Sequence, residues 1–97
     1  MVARVSTYEG SPGREQEVTQ AFERSTQAVQ ELDGFAGSYL LFDSSTGRAM
    51  TVALWSTPEA ADASDKRVAH LREEAASDVG HQVTGTEVYD VVARMEV

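Results

Sequence analysis

The sequence has no cysteine, which excludes disulfide bonds, thiolate metal sites and cysteine nucleophiles. It has eight basic residues against sixteen acidic ones, for a formal net charge of −8. Because phosphate binding relies on clustered lysine and arginine, we expect no nucleic acid and no anionic membrane among its partners. The chain also lacks an apolar leader and any run near the roughly 18 apolar residues of a membrane span. We therefore expect a cytoplasmic protein.

What the sequence does contain is a pattern of strands and helices that fits one domain of 97 residues. Apolar residues at three- and four-residue steps predict a helix over 14–32. A Thr-Pro-Glu start predicts a second helix over 57–79. The pattern does not decide whether a break over 64–66 interrupts this helix. The predicted strands, each rich in apolar or β-branched residues, cover 2–8, 35–42, 48–55 and 86–95. This βαββαβ order predicts an α+β, ferredoxin-like fold with a four-stranded antiparallel sheet and two helices on one face.

Both faces of the predicted sheet are apolar at its centre. In the third strand, Met50, Val52 and Leu54 point to one face, and Thr51 and Trp55 point to the other. Two helices cover only one face, so the other would leave a large apolar patch of a kind that soluble monomers rarely expose. The sequence therefore predicts a homodimer packed through the sheet face.

Several short segments in the first three strands and the second helix form a recognisable set. They are Ala3-Arg4-Val5 with Tyr8 and Gly10, Gly34-Phe35, Gly37-Ser38-Tyr39-Leu40-Leu41, Thr46-Gly47-Arg48-Ala49, Leu54-Trp55-Ser56, and Glu59-Ala60 through Ser64. With them, nearly the whole chain resembles the antibiotic biosynthesis monooxygenase-like family of the dimeric α/β-barrel superfamily. The resemblance implies a single domain of that type over residues 1–97.

The resemblance also implies a chemistry. Characterised enzymes of the family oxidise aromatic, polyketide-like substrates with molecular oxygen and use no metal or flavin. We therefore expect a small-molecule ligand, no cofactor, and cofactor-independent oxygenation of a phenolic or quinol-type compound. Such a site needs a mostly apolar pocket, a proton acceptor and a group that stabilises the anion. The alternative is a non-catalytic ligand-binding module or a stress-related assembly module.

Two aromatic residues are candidates for the pocket wall. Trp55, the single tryptophan, lies where the third strand meets the second helix. It is either a wall on which a flat substrate stacks or a core residue that anchors the strand to the helix, and the core interpretation is preferred. Tyr39 is a second candidate for substrate binding, although a strand tyrosine is more often core packing with its hydroxyl at the rim.

His70 is the candidate general base, because imidazole is the side chain that most readily exchanges protons near neutral pH. Some relatives implied by the resemblance carry a histidine near this distance after the tryptophan. The apolar stripe of the helix runs through Ala60, Ser64, Val68, Leu71 and Ala75. His70 lies beside this stripe, so a half-exposed surface histidine is the preferred interpretation. His81 follows Gly80 in a predicted loop, and a surface position is expected for it as well.

Arg4 lies among apolar neighbours in the first strand, where a charge needs a partner. It either binds an anionic substrate inside the barrel, paired with Asp90, or forms a salt bridge at an edge or dimer rim, which is preferred. The acidic residues that follow Arg72 on the second helix point apart, so their spacing predicts a solvated face and no metal site.

Heme degradation is the other chemistry that the resemblance to the superfamily implies. It uses an asparagine on the first strand and a tryptophan within the second helix. This sequence has no asparagine, and Ser64 stands nearest the position of that tryptophan. The expected pocket is therefore the phenol-binding one, lined by Tyr39, Trp55, Ser64 and His70, with Arg4 as a partner for an anion.

Overall fold

The computed structural model describes residues 1–96 and confirms the βαββαβ order. The strands are β1 (Val2–Glu9), β2 (Phe35–Phe42), β3 (Ala49–Trp55) and β4 (Gln82–Asp90), and the helices are α1 (Glu15–Val29) and α2 (Pro58–Asp78). All strand pairs are antiparallel, in the order β2-β3-β1-β4. This is the ferredoxin-like sheet that the sequence predicts.

Helix α2 begins and continues for reasons that can be read from its side chains. The hydroxyl of Thr57 accepts a hydrogen bond from the backbone N–H of Ala60 at 3.1 Å, and Pro58 occupies the first helical position. The helix runs without a break over 64–66, and there the Ser64 hydroxyl donates to the carbonyl of Ala61 at 2.8 Å within the same helix.

Helix α1 ends earlier than the sequence pattern predicts. The last helical residue is Val29, and the backbone N–H of Leu32 bonds to the carbonyl of Val29 at 3.0 Å in a tighter turn. Gly34 then adopts a positive φ of 83°, and a side chain at this position would collide with Ala60 of α2. The turn brings β2 directly under the start of α2.

Strand β4 covers 82–90 in place of the predicted 86–95. Its register explains the difference, because Asp90 pairs with Val2 and Gln82 pairs with Glu9, so the strand matches β1 along its whole length. Beyond Asp90 there is no further β1 residue to pair with, apart from a bond from the N–H of Val91 to the carbonyl of Met1. Strand length is set here by the partner strand, which local composition does not reveal.

The two faces of the sheet differ in what covers them. Both helices pack on one face, where two small apolar clusters form around Trp55 and around Val79. The opposite face, termed the open face, carries seven large side chains by strand alternation and register. They are Val5, Tyr39, Leu41, Met50, Val52, Leu54 and Tyr89. Neither helix within residues 1–96 is apolar enough over a sufficient length to cross a bilayer.

Candidate functional site

A cavity of about 100 Å³ lies between the sheet and the two helices. This is several times the volume that a single ordered water needs. Most of its wall is apolar, but polar side chains from β1, β2, β3, both helices and the residue just before β4 reach it. The residues that define its chemistry are Arg4, Tyr8, Phe22, Trp55, Arg72 and His81.

Trp55 closes one end of the cavity, which is termed the Trp55 end. Its side chain is fully buried and meets the ring of Phe35 edge-on, with the ring centroids 5.4 Å apart. The indole Nε1–H is buried and has no hydrogen-bond partner within the described chain. Trp55 is therefore both a core residue and a cavity wall, so the two interpretations of the sequence hold together.

Arg4 extends from β1 into the same end and is 3% exposed. Its Nη2 donates to the carbonyl of Ala61 at 2.7 Å and lies 3.4 Å from Asp65 on the outer side of α2, while its Cζ lies 5.6 Å from the centroid of the Trp55 ring. Its Nε and Nη1 have no partner among residues 1–96. Burial lowers the pKa of Arg4 from its usual value; Asp65 raises it, and the positive charge of Arg72 lowers it further.

The partner of Arg4 differs from both alternatives that the sequence offers. Asp90 pairs with Val2 at the end of β4 and makes no described contact with Arg4, and Arg4 is not at an edge. Since β1 lies between β3 and β4, Arg4 is on a central strand and its charged group is directed under α2.

Arg72 reaches the cavity from α2. Its Nη1 donates to the Thr86 hydroxyl at 3.3 Å, and the Thr86 hydroxyl lies 3.1 Å from that of Ser6. Its Nη2 is buried with no partner in the described part of the chain. Because Ser6 and Arg4 are alternate residues on the same face of β1, these contacts place Arg72 on the same side of the sheet as Arg4, where its positive charge acts on the Arg4 guanidinium.

His81 defines the opposite end of the cavity, termed the His81 end. The residue is 7% exposed, and its Nε2 lies 2.8 Å from the carbonyl oxygen of Gly47. A carbonyl oxygen only accepts, so Nε2 carries the proton and, in the neutral ring, Nδ1 is an acceptor. That Nδ1 is buried and unpartnered within residues 1–96. The expectation of a surface position for His81 is wrong.

Two glycines make room for the His81 ring. A Cβ added to Gly10 would collide with Nδ1, Cγ and Cε1 of the imidazole at nearly equal distances. Such nearly equal distances place that Cβ above the ring plane, so Gly10 covers one face of the imidazole. The lone pair of Nδ1 lies in the ring plane and therefore does not point at Gly10. Gly47 has a φ of 82° and touches the Gly10 backbone, which brings the two loops together over His81.

Three residues predicted to line the pocket lie outside it. Tyr39 faces the open side of the sheet, because its neighbours Ser38 and Leu40 point into the cavity and strand side chains alternate. Ser64 is buried, but its hydroxyl bonds within α2.

His70 is the third of these residues. Its side chain is 80% exposed and lies 3.4 Å from Glu74 one turn further along the helix. The surface position preferred for it is correct, and its expected place in the pocket is wrong. Of the five candidate site residues, Trp55 and Arg4 are brought together and the other three are not.

Sequence reasoning missed Arg72 and His81. For Arg72 a signal exists, since Val68, Arg72, Ala75 and Val79 recur at helical steps and all line the cavity. The predicted stripe passed through Leu71, and the charge of Arg72 suggested solvent. For His81 the only signals are Gly10 and Gly47, which indicate close approach without indicating to what.

No group of three or more potential metal-ligating side chains converges within residues 1–96. The polar atoms without partners at the cavity are instead nitrogen atoms of arginine, tryptophan and histidine. The site therefore presents hydrogen-bonding and ionic groups.

The sequence matches none of the known family models. Two curated relatives from Mycobacterium tuberculosis, among them the uncharacterized protein Rv2558, are 47% identical over 49 residues. The match covers 50% of this chain and 21% of each relative, so it spans about a fifth of their length.

Solved structures match over the whole fold. SnoaB, a cofactor-independent oxygenase from Streptomyces nogalater, has a TM-score of 0.73 at 16% identity, over 99% of this chain and 95% of its own. A protein from Deinococcus radiodurans assigned to the antibiotic biosynthesis monooxygenases has a TM-score of 0.69 at 19% identity, over 100% and 98%.

MhuD, a heme-degrader from Mycobacterium tuberculosis crystallised with two bound hemes, has a TM-score of 0.69 at 25% identity, over 99% and 100%. These structures confirm the ferredoxin-like fold that the sequence predicts, and one of the proteins that share it is assigned to the family that the sequence resembles.

Proposed function

We propose that this chain binds a planar aromatic molecule in the cavity and oxygenates a phenolic or quinol-type compound without a cofactor. The observation that supports this most directly is the combination of an aromatic wall, Trp55, with buried polar nitrogens that lack partners in the protein. Native proteins leave few buried polar groups unpaired, so such groups around a cavity favour a polar ligand there. The fold shared with SnoaB supports oxygenation as the reaction type.

The reaction converts a phenol and O₂ into a quinone and water. The phenol first loses its hydroxyl proton, and His81 accepts it on Nδ1, the role for which His70 was the sequence candidate. The electron-rich anion then reduces O₂ and forms a carbon–oxygen bond at the position para to the oxygen. Loss of water leaves one atom of O₂ as the new carbonyl oxygen. Trp55 stacks on the ring. Arg4, at the far end of the cavity from His81, stabilises the negative charge that the phenolate delocalises through the ring toward the para position.

The protein acts as a homodimer packed through the open face in this proposal, with the cytoplasm as the expected location. On that face, the side chains of Tyr39, Leu41 and Tyr89 are at least half exposed, at 61%, 50% and 53%. Beyond the end of β4, Val92 and Met95 are 92% and 94% exposed. A second copy of the same chain would bury this apolar surface.

Ligand binding and turnover are tested on one sample. A panel of hydroxylated aromatics, quinols, fatty acids and heme is screened by thermal shift, and compounds that bind are assayed for oxygen uptake. A ligand at a hundredfold excess over its Kd adds about 2.7 kcal/mol of stability. We expect quinols or phenols to shift the melting temperature and to consume oxygen. Trp55→Phe and His81→Gln should slow uptake, and His70→Gln is the matched control.

Binding without oxygen uptake would refute the oxygenase and leave the non-catalytic ligand-binding module as the function. The absence of any shift would refute the small-molecule site itself. Association is measured separately by light scattering at micromolar concentration. Val52→Glu on the open face should give a folded monomer, whereas Gln20→Glu on the exposed side of α1 should leave a dimer. A wild-type monomer would refute the dimer.

A further inference from the structure

We propose that Arg4 and Arg72 form a subsite for an anionic group at the Trp55 end, so the ligand of this cavity is an aromatic anion such as an aryl carboxylate. The inference rests on the proposed small-molecule site but is independent of whether the chain is catalytic. It assigns a specificity role to Arg72, whose charge the sequence pattern places on a solvated face.

Within the described residues, the buried polar atoms at this end that lack a partner are all donors. Four buried N–H atoms have no partner within the described residues, namely Nε and Nη1 of Arg4, Nη2 of Arg72 and Nε1 of Trp55. Arginine and tryptophan side chains donate and do not accept. A ligand that satisfies them must therefore present acceptor oxygens, and a carboxylate presents two oxygens with about four acceptor positions.

The charges around the cavity also favour an anionic ligand. The chain carries a formal net charge of −8, yet the described cavity wall contains two arginines and no aspartate or glutamate. The acidic residues nearest to Arg4 are Asp65 and Asp62, which lie on the exposed side of α2 and do not line the cavity. An acidic protein with a cationic interior site would select an anion at that site while its surface repels anions elsewhere.

The two guanidinium groups are fixed in place before any ligand binds. The bond from Arg4 to the Ala61 carbonyl and the bond from Arg72 to the Thr86 hydroxyl each use one nitrogen of the group. The remaining nitrogens are free to bind, and little side-chain entropy is left to lose. Arg4 is held further by the face of the Trp55 ring. The aromatic body of the ligand would then lie against Trp55 and Phe22, which both line the cavity.

The test compares acids with their neutral amides. Benzoate and 2-naphthoate are titrated by calorimetry beside benzamide and 2-naphthamide, which have similar shapes and no charge. The chain has a single tryptophan, so its indole N–H gives one resonance in a nitrogen–proton spectrum. We expect at least one acid to bind tenfold more tightly than its amide and to shift that resonance downfield as Nε1–H gains an acceptor.

Arg72 provides the variant, because it is only partly buried and its replacement preserves the core. Arg72→Gln should weaken binding of the acid at least tenfold and leave binding of the amide unchanged, and Arg72→Lys should restore part of the affinity. Arg67→Gln on the exposed side of the same helix removes the same charge from the protein and should change neither affinity. A merely structural role of Arg72 would weaken both ligands together.

Equal affinity for acids and amides, including no binding of either, would overturn the proposal, as would unchanged acid binding by Arg72→Gln. Failure of the oxygenase is a different result. Acids that bind in an Arg72-dependent way, while quinols consume no oxygen, would leave the anion subsite in place and remove the catalytic function.

Discussion

At the Trp55 end of the cavity every unpartnered polar atom is a donor, whereas at the His81 end the unpartnered atom is the acceptor Nδ1. Both ends rest on β1, where Arg4 and Tyr8 are four residues apart and so about 13 Å apart along the strand. The same strand thus supports unpartnered donors at one end of the cavity and an unpartnered acceptor at the other. We therefore expect a ligand of this cavity to bind in one orientation, with its anionic group near Arg4 and a donor group near His81.

The two ends also differ in how they are stabilised. At the Trp55 end a large aromatic side chain fills space between β3 and α2, supported by Phe35 and Ala61. At the His81 end the ring is held by close backbone contacts with Gly10 and Gly47. The Trp55 end depends on side-chain volume, and the His81 end depends on the absence of side chains at two glycines. A substitution that removes volume should therefore destabilise the first, and one that adds volume should destabilise the second.

Removing volume at the Trp55 end should have the largest effect. We expect Trp55→Ala to lower the free energy of unfolding by about 3–5 kcal/mol, because it leaves a void and removes the aromatic contact with Phe35. Denaturant unfolding followed by circular dichroism measures the change. Trp55→Phe keeps most of the volume and should cost clearly less. Equal losses for the two variants would show that ring volume is not what stabilises this end.

Adding volume at the His81 end should have an intermediate effect. Gly10→Ala places a methyl group against the imidazole, and we expect it to cost about 1–3 kcal/mol as His81 or the loop shifts. Gly85→Ala is the matched control, since the nearest atom to its added methyl is the Thr7 hydroxyl at 3.3 Å. A Gly10→Ala protein as stable as the control would contradict the close packing.

Removing only the acceptor at the His81 end should have the smallest effect. We expect 6-hydroxy-2-naphthoate to bind more tightly than 2-naphthoate by about 1 kcal/mol, the usual value of one neutral hydrogen bond. His81→Phe keeps an aromatic ring and should abolish this difference, whereas His70→Phe should preserve it. Calorimetric titration of both ligands against both variants measures it. A difference that survives in His81→Phe would assign the hydroxyl to another group.

The fold could be predicted because its signals are local or strictly periodic. Thr57, Pro58 and the alternation within β3 each act over a few residues, and the structure confirms the elements that they predict. The end of β4 could not be predicted in this way, because Val2 on another strand sets it. Trp55 and Arg4 stood out as candidates because a large aromatic residue at a junction and a charge among apolar residues are unusual in any context.

By itself the sequence determined the βαββαβ order, the alternation of residues between the two sides of each strand, and the two-faced apolar character of the sheet. These follow from hydrogen bonding and side-chain periodicity within single segments. Only the tertiary structure decided that Arg72 joins Arg4 in the interior, and that His81 in place of His70 borders the cavity. Those positions depend on how α2 lies across β4 and how the Gly10 and Gly47 loops meet, and such contacts join residues far apart in the chain.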